Sequence, residues 1–238
     1  MGKQTNIKLR GTVENIIYYQ WKGIHCIRTV PARVRQTKAT KKAATDFGMA
    51  VKSSAVARSM FSKLMPQQPA GRSVIYKVDG AFRQWLQGNP LKDPAPVNEI
   101  PFFDGISFND EVNFKNIIGI EVPVSRIDGG NLVLQWPGFN PVKAIKAPKE
   151  TAQVIIQYIV ATIDLNKEVA HRSSTTNFSI PYVNELMPGQ EIVFENVTSS
   201  KCVALVALSI RYYKDTTQNK PVNIMRWKPA GITGSFYN

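Results

Sequence analysis

AQVIIQYIVATID, residues 152–164, and CVALVALSIRYY, residues 202–213, decide the class of this chain. Both are apolar runs rich in Val, Ile and Tyr, which fit a pleated surface better than a helix. Neither approaches the 18 or so apolar residues that a membrane span needs, and Gln157 interrupts the first. Working outward, IIGIEVPVSR, LVLQW, NFSIPYV, QEIVFENV and PVNIMRW read as further strands. Asp128-Gly129-Gly130-Asn131 supplies a hairpin turn ahead of LVLQW. Strands at this spacing with no long helix between them suggest an antiparallel β-sandwich, Ig-like in its strand count. Trp136 suits its core, although an Ig-type cysteine pair is missing.

The front of the chain is different. TVENIIYYQWKGIHCIRTV, residues 12–30, is expected to form a β-hairpin turning at Lys22-Gly23, with Pro31 ending its second strand. Residues 37–65 then read as one long helix, capped by Thr37 or Thr40 and stopped by Pro66. Ala43, Phe47, Ala50, Ser54, Ala57, Phe61 and Leu64 share one face at 3/4 spacing. Lys38, Lys41, Lys42, Lys52 and Lys63 form a stripe opposite, and Arg58 breaks the pattern by lying near the apolar side. DGAFRQWLQG, residues 79–88, reads as a short helix starting at Asp79. The proline-rich NPLKDPAPVNEIP, residues 89–101, reads as a linker. The expected organisation is therefore mainly β. A basic hairpin-plus-helix module at 1–90 precedes the sandwich at 99–238.

Charge follows the same division. The chain of 238 residues carries +13, of which residues 1–72 hold +12 and residues 73–238 only +1. Such asymmetry points to an electrostatic partner for the front end. A solvated helix face, an acidic protein or assembly interface, and nucleic acid all fit the lysine stripe. Lys without aromatics on that face suits phosphate contacts better than base readout. An anionic membrane surface fits less well, because the helix's apolar face is rich in alanine and small. Tyr18, Tyr19, Trp21 and Arg28 are the candidate contact residues of the hairpin. Its aromatics suit base stacking or packing on the helix.

Chemistry is sparse. His25 and Cys26 adjoin, but neighbouring strand residues point to opposite faces and cannot form a dyad. His171, in AHRSSTT, reads as a loop residue. Asp104, Asp110 and Glu111 read as turn acids, since their spacing matches no cation-binding loop. No phosphate-loop, dinucleotide, zinc-protease or nucleophile-elbow motif occurs. The two cysteines, Cys26 and Cys202, read as free buried thiols. No enzyme activity, catalytic residue, metal site, cofactor or small-molecule substrate is expected. MGKQTNIKLRG lacks the apolar segment of a secretory signal, so the expected location is cytoplasmic or within an assembled particle.

Gly11, Trp21-Lys22-Gly23-Ile24, Arg28, Pro31 and the helix bearing Phe47 carry a resemblance. Over about residues 11–65 the chain resembles an uncharacterised family of Bacteroidota proteins, with a W-K-G-I hairpin followed by a long helix. Members carry several glycines before the tryptophan, where this chain has VENIIYY. The resemblance implies a β-rich, non-enzymatic protein of a bacterial or prophage setting. With strand-forming segments at both ends, KQTNIKLRG and GITGSFYN, the expected role is a self-associating structural subunit of a phage-like particle or other ordered bacterial assembly. The alternative is a nucleic-acid-binding protein without sequence preference, acting through the lysine stripe.

Overall fold

The computed structural model describes residues 2–4, 8–31, 36–66, 70–87, 98–120, 124–128, 130–165, 167–197 and 202–237. The chain divides into two compact units, Met1–Lys42 and Ala43–Asn238.

In the first unit β1 (Gly2–Lys3), β2 (Gly11–Val13), β3 (Ile16–Trp21) and β4 (Ile24–Thr29) form one antiparallel sheet in the order β1-β4-β3-β2. The β3–β4 hairpin is the one expected from the sequence. Lys22 and Gly23 both have positive φ, 49° and 80°, the backbone of a two-residue turn that matches the twist of its strands. Helix α1 (Lys38–Met60) starts after Thr37, whose Oγ1 accepts the Thr40 N–H at 3.1 Å. This is the side-chain cap that the sequence announced.

In the second unit α1 runs on into a 3-10 turn, Ser62–Leu64, followed by α2 (Arg72–Gln87) and β5 (Asn98–Glu99). After these come β6 (Val124–Asp128), β7 (Asn131–Trp136), α3 (Pro141–Ala144), β8 (Gln153–Asp164), β9 (Val169–Pro181), β10 (Gln190–Phe194), β11 (Cys202–Tyr213) and β12 (Ala230–Tyr237). Five strands make one sheet, β5-β12-β11-β8-β9, and three make another, β10-β7-β6. All described pairs are antiparallel. The protein is mainly β, with 39% strand and 28% helix.

The two deciding runs lie at the centre of the larger sheet and are covered on both faces, which is why they are apolar almost throughout. On β11, Val203, Leu205 and Ala207 point to a core shared with Ala57 and Phe61 of the α1 segment and Val78, Phe82 and Trp85 of α2. The intervening Ala204, Val206, Leu208 and Ile210 point to a second core with Leu132, Leu134 and Trp136 of β7. Trp136 is fully buried, as its sequence context suggested.

Several expectations are corrected. The helices share a core with the large sheet, and the chain divides after Lys42, so the expected units at 1–90 and 99–238 do not describe where the cores lie. The linker assigned to 89–101 falls largely outside the described residues. The second helix begins at Arg72, not Asp79. Its apolar spacing, Val74, Val78, Phe82, continues through the Asp-Gly pair that looked like a start. PVNIMRW forms a single bridge, Tyr213 to Pro221, and a 3-10 turn, Met225–Trp227, in place of a strand. His171 lies within β9 and not in a loop. Phe47, assigned to the buried face of α1, is 54% exposed, and burial on that face begins at Ala50.

Candidate interaction surfaces

In antiparallel pairs, residues directly opposite each other point to one face. The register Tyr19↔Cys26, Trp21↔Ile24 and Ile17↔Arg28 therefore places Tyr19, Trp21 and Arg28 on one face of the first unit's sheet. Tyr18, opposite Ile27, lies on the other. The hairpin candidates are thus three together and one apart. The Arg28 guanidinium lies 5.4 Å from the Tyr19 ring centroid, and the Lys22 ammonium 5.1 Å from that of Trp21, both within cation–π range. Trp21 is 53% exposed, and Val13, Ile16, Ile24 and Val30 are also exposed. Cys26 is the one buried residue among those described in the unit. A net charge of +9 over residues 1–42 accompanies this apolar exposure.

The five stripe lysines divide between the units. Lys38, Lys41 and Lys42 belong to the first turns of α1, in the first unit. Lys52 and Lys63 belong to the second. All five are exposed, but Lys52 Nζ bonds Glu168 Oε2 at 2.7 Å, so part of the stripe is already neutralised within the chain. Arg58, which the wheel left unexplained, reaches Asp79 Oδ1 at 2.7 Å and also bonds the Ser54 hydroxyl. It ties α1 to α2 instead of facing solvent.

The remaining polar candidates are structural in their surroundings. Asp110 accepts hydrogen bonds at 2.8 Å from both Lys77 Nζ and the Ser73 hydroxyl, which hold its carboxyl below the ordinary carboxylate value. Asp104 accepts from the Ser235 hydroxyl at 3.4 Å. Cys26 and Cys202 are free and buried, as expected. Burial, followed by the charge of Asp164, pushes the Cys202 thiol up. Among the described residues no three His, Cys, Asp or Glu side chains group as metal ligands, and no helix is long and apolar enough to cross a membrane.

Strand edges are the other surface to consider. The C-terminal strand was expected to be available to a neighbour, but β12 is interior. It pairs with β11 on one side. On the other, its backbone bonds Ile100, Gly105, Ile106 and Phe108 of the segment that covers it. Gly231 sits where a Cβ would lie 2.5 Å from the Ile106 carbonyl oxygen, so only glycine allows that cover to approach. The N-terminal β1 pairs with β4 on one side and is an end strand of its sheet. The longest end strand is β9, 13 residues at the end of the larger sheet, with no strand on its outer side among the described residues. Its polarity hid it: SSTTN is not the apolar pattern by which strands are found. No family model matches the chain, nor does any curated protein or solved structure.

Proposed function

We propose that this chain is a non-enzymatic structural subunit of an ordered bacterial or phage-like assembly. In this reading the two facing sheets form a β-sandwich body, and the basic sheet of residues 1–42 docks on a neighbouring molecule. The observation that carries it is the first unit's make-up. Sheets this small rarely stabilise themselves without a staple or a partner, and among its described residues this one buries only Cys26 while leaving Trp21, Ile24 and Val13 exposed. Its charge of +9 favours an acidic surface as the place it docks. The bare edge of β9 offers a second contact, by strand addition between copies.

A nucleic-acid reading is favoured by one feature, the placing of Tyr19 and Trp21 on a single sheet face beside Arg28. Aromatic platforms in a basic setting are how single strands are held without sequence preference. The lysine stripe contributes less to that reading, since Lys52 is engaged by Glu168.

Molar mass by light scattering, on nuclease-treated protein at low and high salt, tests the first reading. A discrete multiple of 26.6 kDa that persists in high salt is expected. A 26.6 kDa monomer at both salts overturns it.

A further inference from the structure

Beyond assembly, the second unit holds a cavity with a chemistry of its own. The odd-numbered face of β11 changes character along its length. Val203, Leu205 and Ala207 lie under the helices, and Ser209, Arg211 and Tyr213 continue the same face. Together with the turn carrying Lys63 and the segment carrying Trp227 and Lys228, these last three residues line an open cavity of about 380 Å³. That volume is within the usual range for a small-ligand site.

Two features distinguish this cavity from an incidental gap. The first is charge. Lys63, Arg211 and Lys228 line it, and among the described residues no Asp or Glu does. The described partners of the Arg211 guanidinium are neutral, the Lys63 carbonyl at 3.2 Å and Gln157 Oε1 at 3.1 Å, both through Nη2. Those bonds hold the group in place without cancelling its charge, leaving the rest of the fork able to bind an oxyanion. The second is Ser209. It is 5% exposed, and its hydroxyl has no hydrogen-bond partner among the described residues, a costly state for a buried polar group unless a ligand or water completes it. Trp227, only half-buried and fixed edge-on against Tyr212 at 5.8 Å, adds a flat aromatic surface to the same lining.

We infer that this cavity binds a small phosphate monoester bearing a flat ring. The phosphate meets Arg211, Lys228 and Lys63, the ring lies against Trp227, and Ser209 bonds a polar edge of the ligand. The inference does not depend on the assembly reading, and no residue of the first unit takes part.

Titration of the full chain with AMP, adenosine and inorganic phosphate tests it, by calorimetry and by amide and indole NMR shifts. The Trp227 indole signal is assigned by Trp227→Phe. AMP should bind and shift the resonances of Trp227, Ser209 and Arg211. Adenosine and phosphate should each bind at least about tenfold more weakly, and Arg211→Gln and Lys228→Gln should each weaken AMP by about tenfold or more. Lys149→Gln, an exposed change outside the cavity, should leave AMP binding unaltered. Failure of AMP to bind at millimolar concentration overturns the inference. So does adenosine binding as tightly as AMP, or wild-type affinity in both Arg211→Gln and Lys228→Gln. Retained amide-shift dispersion in those two variants separates lost binding from lost fold.

Discussion

At the scale of single residues, the arginine that broke the helical pattern in the sequence turns out to be a paired one. Arg58 and Asp79 are separated by 2.7 Å, with side chains only 16% and 21% exposed, so each lies largely out of water and depends on the other. Asp79→Asn should cost about 1.5–3 kcal/mol in denaturant unfolding, because it leaves the guanidinium without its counter-charge. The double change Arg58→Met with Asp79→Leu should cost less than Asp79→Asn alone, since no unpaired charge then remains. Asp110 gives a pH prediction with a definite sign. Its folded pKa is lowered by hydrogen bonds from Lys77 and Ser73 and by the Lys77 charge. Its contribution is therefore complete above the ordinary carboxylate pKa and disappears as pH falls through the lowered one. The side chain is more than half exposed, so the contribution is small. Lys77→Gln should move the Asp110 midpoint, followed by carboxyl NMR shifts, back up toward its ordinary value.

At the scale of elements, legibility depended on how directly a local pattern reported burial. The β3–β4 hairpin was readable because Lys22-Gly23 demands a particular backbone. The central strands were readable because both of their faces are covered. The start of α2 was misplaced because Asp79-Gly80 resembles a turn, whereas the covering of Val74 and Val78 by the sheet outweighs the small helix penalty of one glycine. β9 was read only at its apolar end, NFSIPYV. Its outer residues are polar and alternate weakly, and its length is imposed by pairing with all of β8. Of the candidate site, the hairpin residues could be named from sequence. Which of them share a face could not, because one residue of register decides it. The two phenylalanines provide a direct comparison. Phe82 is fully buried in the helix–sheet core and Phe47 is more than half exposed. Phe82→Ala should destabilise by about 3–5 kcal/mol. Phe47→Ala should change stability by no more than about 0.5 kcal/mol in the same unfolding experiment.

At the scale of the whole molecule, the assembly reading and the fold place different demands on the same sheet, and they can be separated. Ser173, Thr175 and Asn177 are exposed on β9 and make no contribution to either core. Changing all three to lysine puts like charges side by side wherever two β9 edges would meet, the device by which natural edge strands stay unpaired. The variant should keep the unfolding midpoint of the parent and lower the mass measured by light scattering. An unchanged oligomeric mass would remove β9 from the interface. The interior position of β12 also bears on the order in which the chain is made. Phe61, Phe82 and Trp85 pack with Val203, Leu205, Ile232 and Tyr237, partners that lie more than a hundred residues later in the chain. At a ribosomal rate of about 5–20 residues per second, the apolar faces of both helices wait roughly ten to thirty seconds for that sheet to be synthesised. During translation these helices are therefore natural clients for a chaperone that shields apolar surface until residues 230–237 have emerged.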